Sequence, residues 1–150
     1  LSCLLTNYND VTQYFVTADQ LQIKDDVLEQ LKKQGQEFVV DNNFEAHLSD
    51  VDAIYMTRLQ DEWDKTPGES SSLDISKFFI EPRHLSMMKP SAVIMHPLPR
   101  RQEIAVEVDR DPRAMYWRQV RNGMWIRVAL IASTFRVADE INTYYKLNHA

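Results

Sequence analysis

Arg58 and Gln60 stand two residues apart, just past the apolar run VDAIYM at 51–56. Residues two apart on an extended chain point to the same side, so a guanidinium and a carboxamide face one way. Arginine presents a planar fork of donors that matches a carboxylate, and glutamine both donates and accepts. The pair therefore suits a small ligand with a carboxylate and a second polar group. The same residue types also suit an ordinary surface loop. Thr57 lies between the run and Arg58.

A second group, His96-Pro97-Leu98-Pro99-Arg100, follows the apolar run AVIM at 92–95. Two prolines restrict the backbone and remove two N–H donors. What remains is a rigid loop that presents carbonyls and can pin a neighbouring amine, and rigid loops at strand ends preorganise sites. A stiff crossover turn has the same composition. His96 fits a cap on the strand end as well as a titrating group. Glu107, Asp109 and Asp111 gather near Glu103 with Arg110 and Arg113 interleaved. Their spacing matches no metal-ligand pattern, and the expectation is a solvated, salt-bridged surface with no metal. Tyr116, Trp117, Met124 and Trp125 are expected in the core. The sequence has no CxxC, HExxH, GxGxxG or GxxxxGK[ST], and only three glycines, so a glycine-rich phosphate cradle is excluded.

The elements that must position these residues alternate between short apolar runs and helical segments. Strands are expected at 12–17, 37–40, 51–56, 78–80 and 92–95, with 51–56 a buried strand of parallel type. Helices are expected at the end of 1–8, at 25–34 with Val27, Leu28 and Leu31 inward and Gly35 beyond its end, at 43–48 capped by Asn42 or Asn43, and at 82–88. A helix at 112–119 takes Asp111 as cap and Pro112 as first residue. The last helix runs from about 122 to 138, where Met124, Val128, Ile131 and Phe135 recur at helical spacing. Ile126, Leu130 and Ala132 make its other faces apolar, so it needs cover on most sides. Residues 64–74, with Pro67, Gly68 and three serines, read as a flexible polar loop. The alternation predicts an α/β fold, a Rossmann-like parallel sheet flanked by helices, with ligands at the carboxyl ends of the strands.

The chain has 150 residues, 44% hydrophobic and 26% charged, enough for one domain with a real core. A net charge of −5 argues against nucleic acid or an anionic membrane as partner, because both call for clustered Lys and Arg. The single cysteine, Cys3, allows no internal disulfide and predicts an intracellular, cytoplasmic setting; it is expected to be a buried thiol in its apolar run. No apolar run reaches the length of a membrane span, about 18 residues, and the first residues lack the basic flank of a signal peptide. The chain opens on Leu1 rather than Met, which reads as a piece of a longer protein.

Taken in order, these segments resemble the aspartate-binding half of the aspartate carbamoyltransferase family. The family's Y-M-T-R-x-Q strand end matches Tyr55-Met56-Thr57-Arg58-Leu59-Gln60, and its H-P-L-P-R loop matches His96 to Arg100. E-I-x-x-x-V-D follows at Glu103 to Asp109, D-P-R-A-x-Y at Asp111 to Tyr116, and R-Q-x-x-N-G-M at Arg118 to Met124. The sister ornithine family usually carries H-C-L-P, where this chain has Pro97. The tail resembles the eukaryotic multifunctional pyrimidine enzymes more than the bacterial form.

The resemblance implies the second half of the two-domain carbamoyltransferase fold over residues 1–150. Its last helix, about 122–138, would pack on a carbamoyl phosphate-binding domain. Arg58 and Gln60 would bind L-aspartate, Pro97 and Leu98 would supply carbonyls, and Thr57, His96, Arg100 and Glu103 would support them, with no single residue assigned as catalytic. The implied reaction transfers the carbamoyl group of carbamoyl phosphate to L-aspartate, giving N-carbamoyl-L-aspartate and phosphate in de novo pyrimidine synthesis. It implies no metal and no organic cofactor, and an intact enzyme that is a homotrimer or part of a multifunctional polypeptide. The family's S-x-R-T phosphate loop, its H-P-T-Q segment and its G-R-T-V-H-S run are not among these residues; Ser133-Thr134-Phe135-Arg136 is only an echo of the first. The serine and lysine that a neighbouring subunit lends are missing too. By itself the chain is therefore expected to be inactive, with apolar surface exposed on its first and last helices. The loop at 61–79, which in the family closes over substrate, is divergent. A non-catalytic binding module on the same fold and a carbamoyltransferase for another amino acid are the alternatives.

Overall fold

The structure is a computed structural model that describes residues 1–63 and 73–149. The polar loop expected at 64–74 falls mostly on residues outside that description.

A single turn, α1 (Ser2–Leu5), leads into strand β1 (Thr12–Val16). Helix α2 (Asp25–Lys33) then crosses to β2 (Glu37–Asp41), which pairs in parallel with β1 from Thr12↔Glu37 to Val16↔Asp41. Val27, Leu28 and Leu31 face inward as their spacing predicts, and Leu31 is fully buried. Gly35, at φ 68°, ends the helix: its N–H reaches the Lys32 carbonyl at 3.1 Å and the Gln36 N–H reaches that of Leu31 at 3.0 Å. Only glycine takes this left-handed position without steric cost. Asn43 accepts the Ala46 N–H at 3.2 Å and so opens a 3₁₀ turn, Glu45–His47, in place of the short helix expected there.

Strand β3 (Ala53–Tyr55) pairs in parallel with β4 (Val93–Met95), register Ala53↔Val93 to Tyr55↔Met95. A parallel bridge Ile94↔Ala114 adds to the edge of β4, and a separate one joins Ile80 and Ile104. The α/β reading with parallel strands holds, but among the described residues the sheet is two two-stranded pairs rather than one. The core forms around the second pair: Leu48, Ile80, Met88, Ala92, Ile94, Ile104, Val108 and Tyr116 are buried together. Helix α3 (Pro82–Leu85) sits over it, with Glu81 and His84 completing a reciprocal cap. β3 is not buried on both faces as expected, because Ala53 and Tyr55 are exposed and only Ile54 turns inward. The strand expected at 78–80 is instead a 3₁₀ turn, Ser76–Phe78, followed by the one-residue bridge at Ile80.

The C-terminal helices differ most from expectation. Asp111 does not cap a helix at 112–119: its carboxylate holds the Arg113 N–H and guanidinium at 2.9 and 2.8 Å. The chain stays extended because the Arg113 carbonyl and the Met115 N–H pair with Ile94 at 2.7 and 2.8 Å. Helix α4 then runs over Tyr116–Thr134, breaks at Arg136 (φ 58°), and restarts as α5, Ala138–His149. The two segments expected at 112–119 and 122–138 are thus one helix and a break. Of α4, only Tyr116 and Ala132 are buried. Trp117, Met124 and Trp125, expected in the core, are exposed, as are Ile126, Leu130, Ile131 and Phe135, because no described element covers those faces. Leu1 and Leu4 are exposed also, and so is Cys3, since a single turn can turn only one side inward. No helix among the described residues is long and apolar enough to cross a membrane.

Candidate functional site

Parallel pairing places the two predicted groups beside each other. Tyr55 lies opposite Met95, and the Met56 N–H donates to the Met95 carbonyl at 2.9 Å. The chain therefore leaves both strands at one edge, their carboxyl end, with Thr57 and Arg58 on one side and His96 on the other.

His96 is wholly buried and acts as the hinge pin of its loop. Its Nδ1 accepts the Leu98 N–H at 2.8 Å, so the ring proton lies on Nε2, which donates to Glu103 Oε1 at 2.8 Å. The same oxygen accepts the Arg101 N–H at 3.0 Å, and the His96 N–H donates to Gln119 Oε1 at 3.0 Å. One imidazole thus ties the strand end, the Pro97-Leu98 turn and the chain at 101–103 together. Leu98 has φ 51°, a left-handed conformation that costs a leucine about 1–2 kcal/mol and persists only where its surroundings enforce it. The Leu98–Pro99 peptide is cis. Pro97 is exposed and Leu98 half-buried.

Arg100 secures the far end of the turn. Its guanidinium makes a two-pronged pair with Asp109, the second prong at 2.7 Å, donates to the Tyr116 hydroxyl at 3.0 Å, and lies over the rings of Tyr116 and Trp117. Tyr116, fully buried, also donates to Asp109. Burial first, and the Asp109 carboxylate second, push the Tyr116 hydroxyl up to about 12, while the Arg100 hydrogen bonds hold Asp109 below its ordinary value. A depressed carboxylate stabilises the fold above its unfolded pKa, and that contribution is lost on acidification through the lowered value. Asp109→Ala should cost about 2–4 kcal/mol near neutral pH, since it strands a largely buried guanidinium and a buried hydroxyl. Urea unfolding measures it; a loss within 0.5 kcal/mol, about the usual surface-substitution range, would show that the clamp contributes nothing. Within the acidic cluster Asp109 and Asp111 are paired as expected, with Arg100 and Arg113, but half-buried; Glu107 is exposed as expected, and Glu103 is buried on His96.

Arg58 lines a cleft of about 290 Å³ with Leu59, Asp61, Ile75, Phe79, Arg101, Gln102 and Glu103. Its side chain is only 17% exposed. Both prongs of its guanidinium are on Glu62, one at 2.9 Å, and Asp61 lies 3.8 Å away. The Glu62 contact raises the Arg58 pKa further and lowers that of Glu62, so both stay charged throughout the physiological range. Gln60 and Thr57 are exposed and lie outside the cleft lining. Geometry brings together Arg58, Glu103 and the turn held by His96, and it sets Gln60 and Thr57 apart at the surface. Reading by residue type missed Asp61, Glu62 and Arg101. The spacings of Asp61 and Glu62 from Arg58, three and four residues, were a usable signal for turn-borne ion pairs; nothing local marked Arg101.

The family model described as the Asp/Orn-binding domain of aspartate/ornithine carbamoyltransferases matches residues 3–134. The chloroplastic aspartate carbamoyltransferase of Oryza sativa subsp. japonica is 39% identical over 131 residues, 87% of this chain and 36% of the relative. The multifunctional protein CAD of Squalus acanthias is 38% identical over 133 residues, 89% of this chain and 6% of the relative. Among solved structures, aspartate transcarbamoylase from Trypanosoma cruzi in complex with carbamoyl aspartate and phosphate superposes with a TM-score of 0.72 at 30% identity, covering 86% of this chain and 40% of that one. The chain spans about a third of the length of the plant relatives it matches.

Proposed function

The chain belongs to the aspartate/ornithine carbamoyltransferases through their Asp/Orn-binding domain, and from that premise we propose that it binds L-aspartate for carbamoyl transfer. The observation that carries the reading is the meeting of two loops at one sheet edge: Arg58 leaves β3 where the His96-pinned turn leaves β4. Arg58 exchanges Glu62 for the side-chain carboxylate at its fork, and Gln60 swings from the surface to the second polar group. No described residue donates to the carbonyls of Pro97 and Leu98, which are left to accept the N–H groups of the substrate amine and the carbamoyl amide. Thr57, His96, Arg100 and Glu103 support this arrangement. Pro97, where the ornithine enzymes usually carry cysteine, and Arg58 favour aspartate over a cationic amino acid.

The reaction is acyl transfer. The neutral amine of L-aspartate attacks the carbamoyl carbon, a C–N bond forms, and the C–O bond to phosphate breaks. The product is N-carbamoyl-L-aspartate, the step that opens the pyrimidine ring pathway. Such a reaction runs on positioning and charge stabilisation, and the groups that neutralise phosphate belong to a carbamoyl phosphate-binding domain. The exposed apolar face of α4 suits packing against that domain, and the proposed assembly is a homotrimer or a multifunctional polypeptide in the cytoplasm.

These 150 residues alone should show no turnover with carbamoyl phosphate and L-aspartate, and adding the carbamoyl phosphate domain, covalently or in trans, should restore it. Steady-state assays of both preparations test this. Turnover by the chain alone that survives purification and disappears in Arg58→Ala would overturn the claim of inactivity. A reconstituted enzyme that carbamoylates L-ornithine and ignores L-aspartate would overturn the substrate.

A further inference from the structure

Two guanidiniums converge on the cleft, and the resemblance accounts for only one of them. Arg101 lines it opposite Arg58. Between them lies the Asp61 carboxylate, with Oδ2 2.9 Å from Arg101 Nη1 and Oδ1 3.8 Å from Arg58 Nη1. One carboxylate therefore reaches both arginines at once. Like charges repel across so small a space, and an anion between them relieves that repulsion.

Asp61 is suited to give up this place. It sits on the exposed 3₁₀ turn Asp61–Trp63, and its pair with Arg101 is a surface pair, worth little against a competing carboxylate. Arg101 is the better anchored partner, because its N–H is fixed on the buried Glu103 carboxylate beside His96. Among the described residues its guanidinium makes one side-chain hydrogen bond, from Nη1 to Asp61, leaving most of its donors available. Ile75 and Phe79 wall the same cleft. The volume of about 290 Å³ fits a four-carbon dicarboxylic acid.

We propose that Arg101 is a second carboxylate-binding arm of this site, taking the substrate's side-chain carboxylate jointly with Arg58, and that Asp61 holds that carboxylate's place until substrate displaces it. The inference rests on the aspartate-site reading above and adds a specificity-determining residue to it. Two cationic arms on one carboxylate reject a neutral amide there, so they favour aspartate over asparagine.

The test is a titration of the 150-residue chain with L-aspartate, and separately with L-asparagine, followed by heteronuclear NMR at the amides of residues 100–103. The same spectra report whether each variant is folded. Arg101→Gln should weaken L-aspartate binding about 3–10-fold, the range for a partly exposed charged contact, and leave L-asparagine nearly unaffected. Asp61→Ala should tighten L-aspartate binding about threefold by vacating the place. Opposite signs are the signature, since a merely structural Arg101–Asp61 pair loses the same bond in either variant and both would shift binding alike. Equal shifts, or an unchanged Arg101→Gln, overturn the proposal. Loss of binding in Arg58→Ala with none in Arg101→Gln removes Arg101 and leaves the aspartate site standing, whereas no saturable binding by the unsubstituted chain removes both.

Discussion

In an enzyme that carries the carbamoyl phosphate domain, Arg58→Ala should reduce kcat/KM for L-aspartate on the order of 10²–10³-fold while leaving the apparent affinity for carbamoyl phosphate within a factor of a few. The asymmetry is geometric. Arg58 leaves the carboxyl end of β3 into the cleft with both prongs on Glu62, and the substrate carboxylate would take the place of that carboxylate on an arm already ordered. The groups that neutralise phosphate are proposed to lie in the carbamoyl phosphate domain, away from Arg58. Gln60→Ala should move the same parameter by less, because a neutral hydrogen bond contributes less than a charged one and Gln60 must come in from the surface. Kinetics with each substrate varied in turn separate the two effects. An unchanged dependence on L-aspartate in Arg58→Ala would falsify the assignment of this cleft as the aspartate site.

The second large effect is on the fold of the site. His96→Ala should destabilise the chain by about 3–5 kcal/mol, the cost of removing one partner from a buried pair. It leaves the Glu103 carboxylate without its imidazole donor and the Leu98 N–H without its acceptor. Glu103→Gln keeps an acceptor for both Nε2–H and the Arg101 N–H, and should cost only about 1 kcal/mol. His96→Asn can still receive the Leu98 N–H but falls short of Glu103, and should lie between the two. Chemical denaturation monitored by circular dichroism measures all three. If His96→Ala and Glu103→Gln lost equal amounts, the imidazole would not be the pin described here.

The contrast between these residues shows where reading by sequence succeeds. Leu31 and Gly35 were legible because a helix buries every third or fourth residue and ends on a residue that tolerates positive φ; both are local rules. Arg58 and the loop from His96 to Arg100 were legible because apolar runs announced the strands before them, and parallel sheets present their carboxyl ends to ligands. His96 as a cap on the strand end was one of two readings its position allowed. Its partners, Glu103 seven residues on and the N–H of Leu98, are what the structure added.

The misreadings have one physical origin. Asp111 and Pro112 form a good helix start, yet Arg113 and Met115 pair with Ile94, and a sheet bond outweighs a propensity of a few tenths of a kcal/mol. Trp117, Met124 and Trp125 are apolar and were expected inside, but burial belongs to whatever stands opposite, and no described element stands there. Cys3 failed for the same reason.

Order along the chain was enough to determine an α/β domain of parallel strands, and ordered motifs carried the resemblance that gave its family and the two segments proposed to bear the site. The first follows from periodicity and the second from motifs, both properties of neighbours in sequence. Only the tertiary structure decided that Arg58 is sheathed by Glu62, that His96 pins the turn through Glu103, and that Arg101 shares the cleft with Arg58 across Asp61. These contacts join residues 40 or so positions apart or depend on which of several donors lies nearest. Distance and angle select them, and no spacing rule along the chain encodes either.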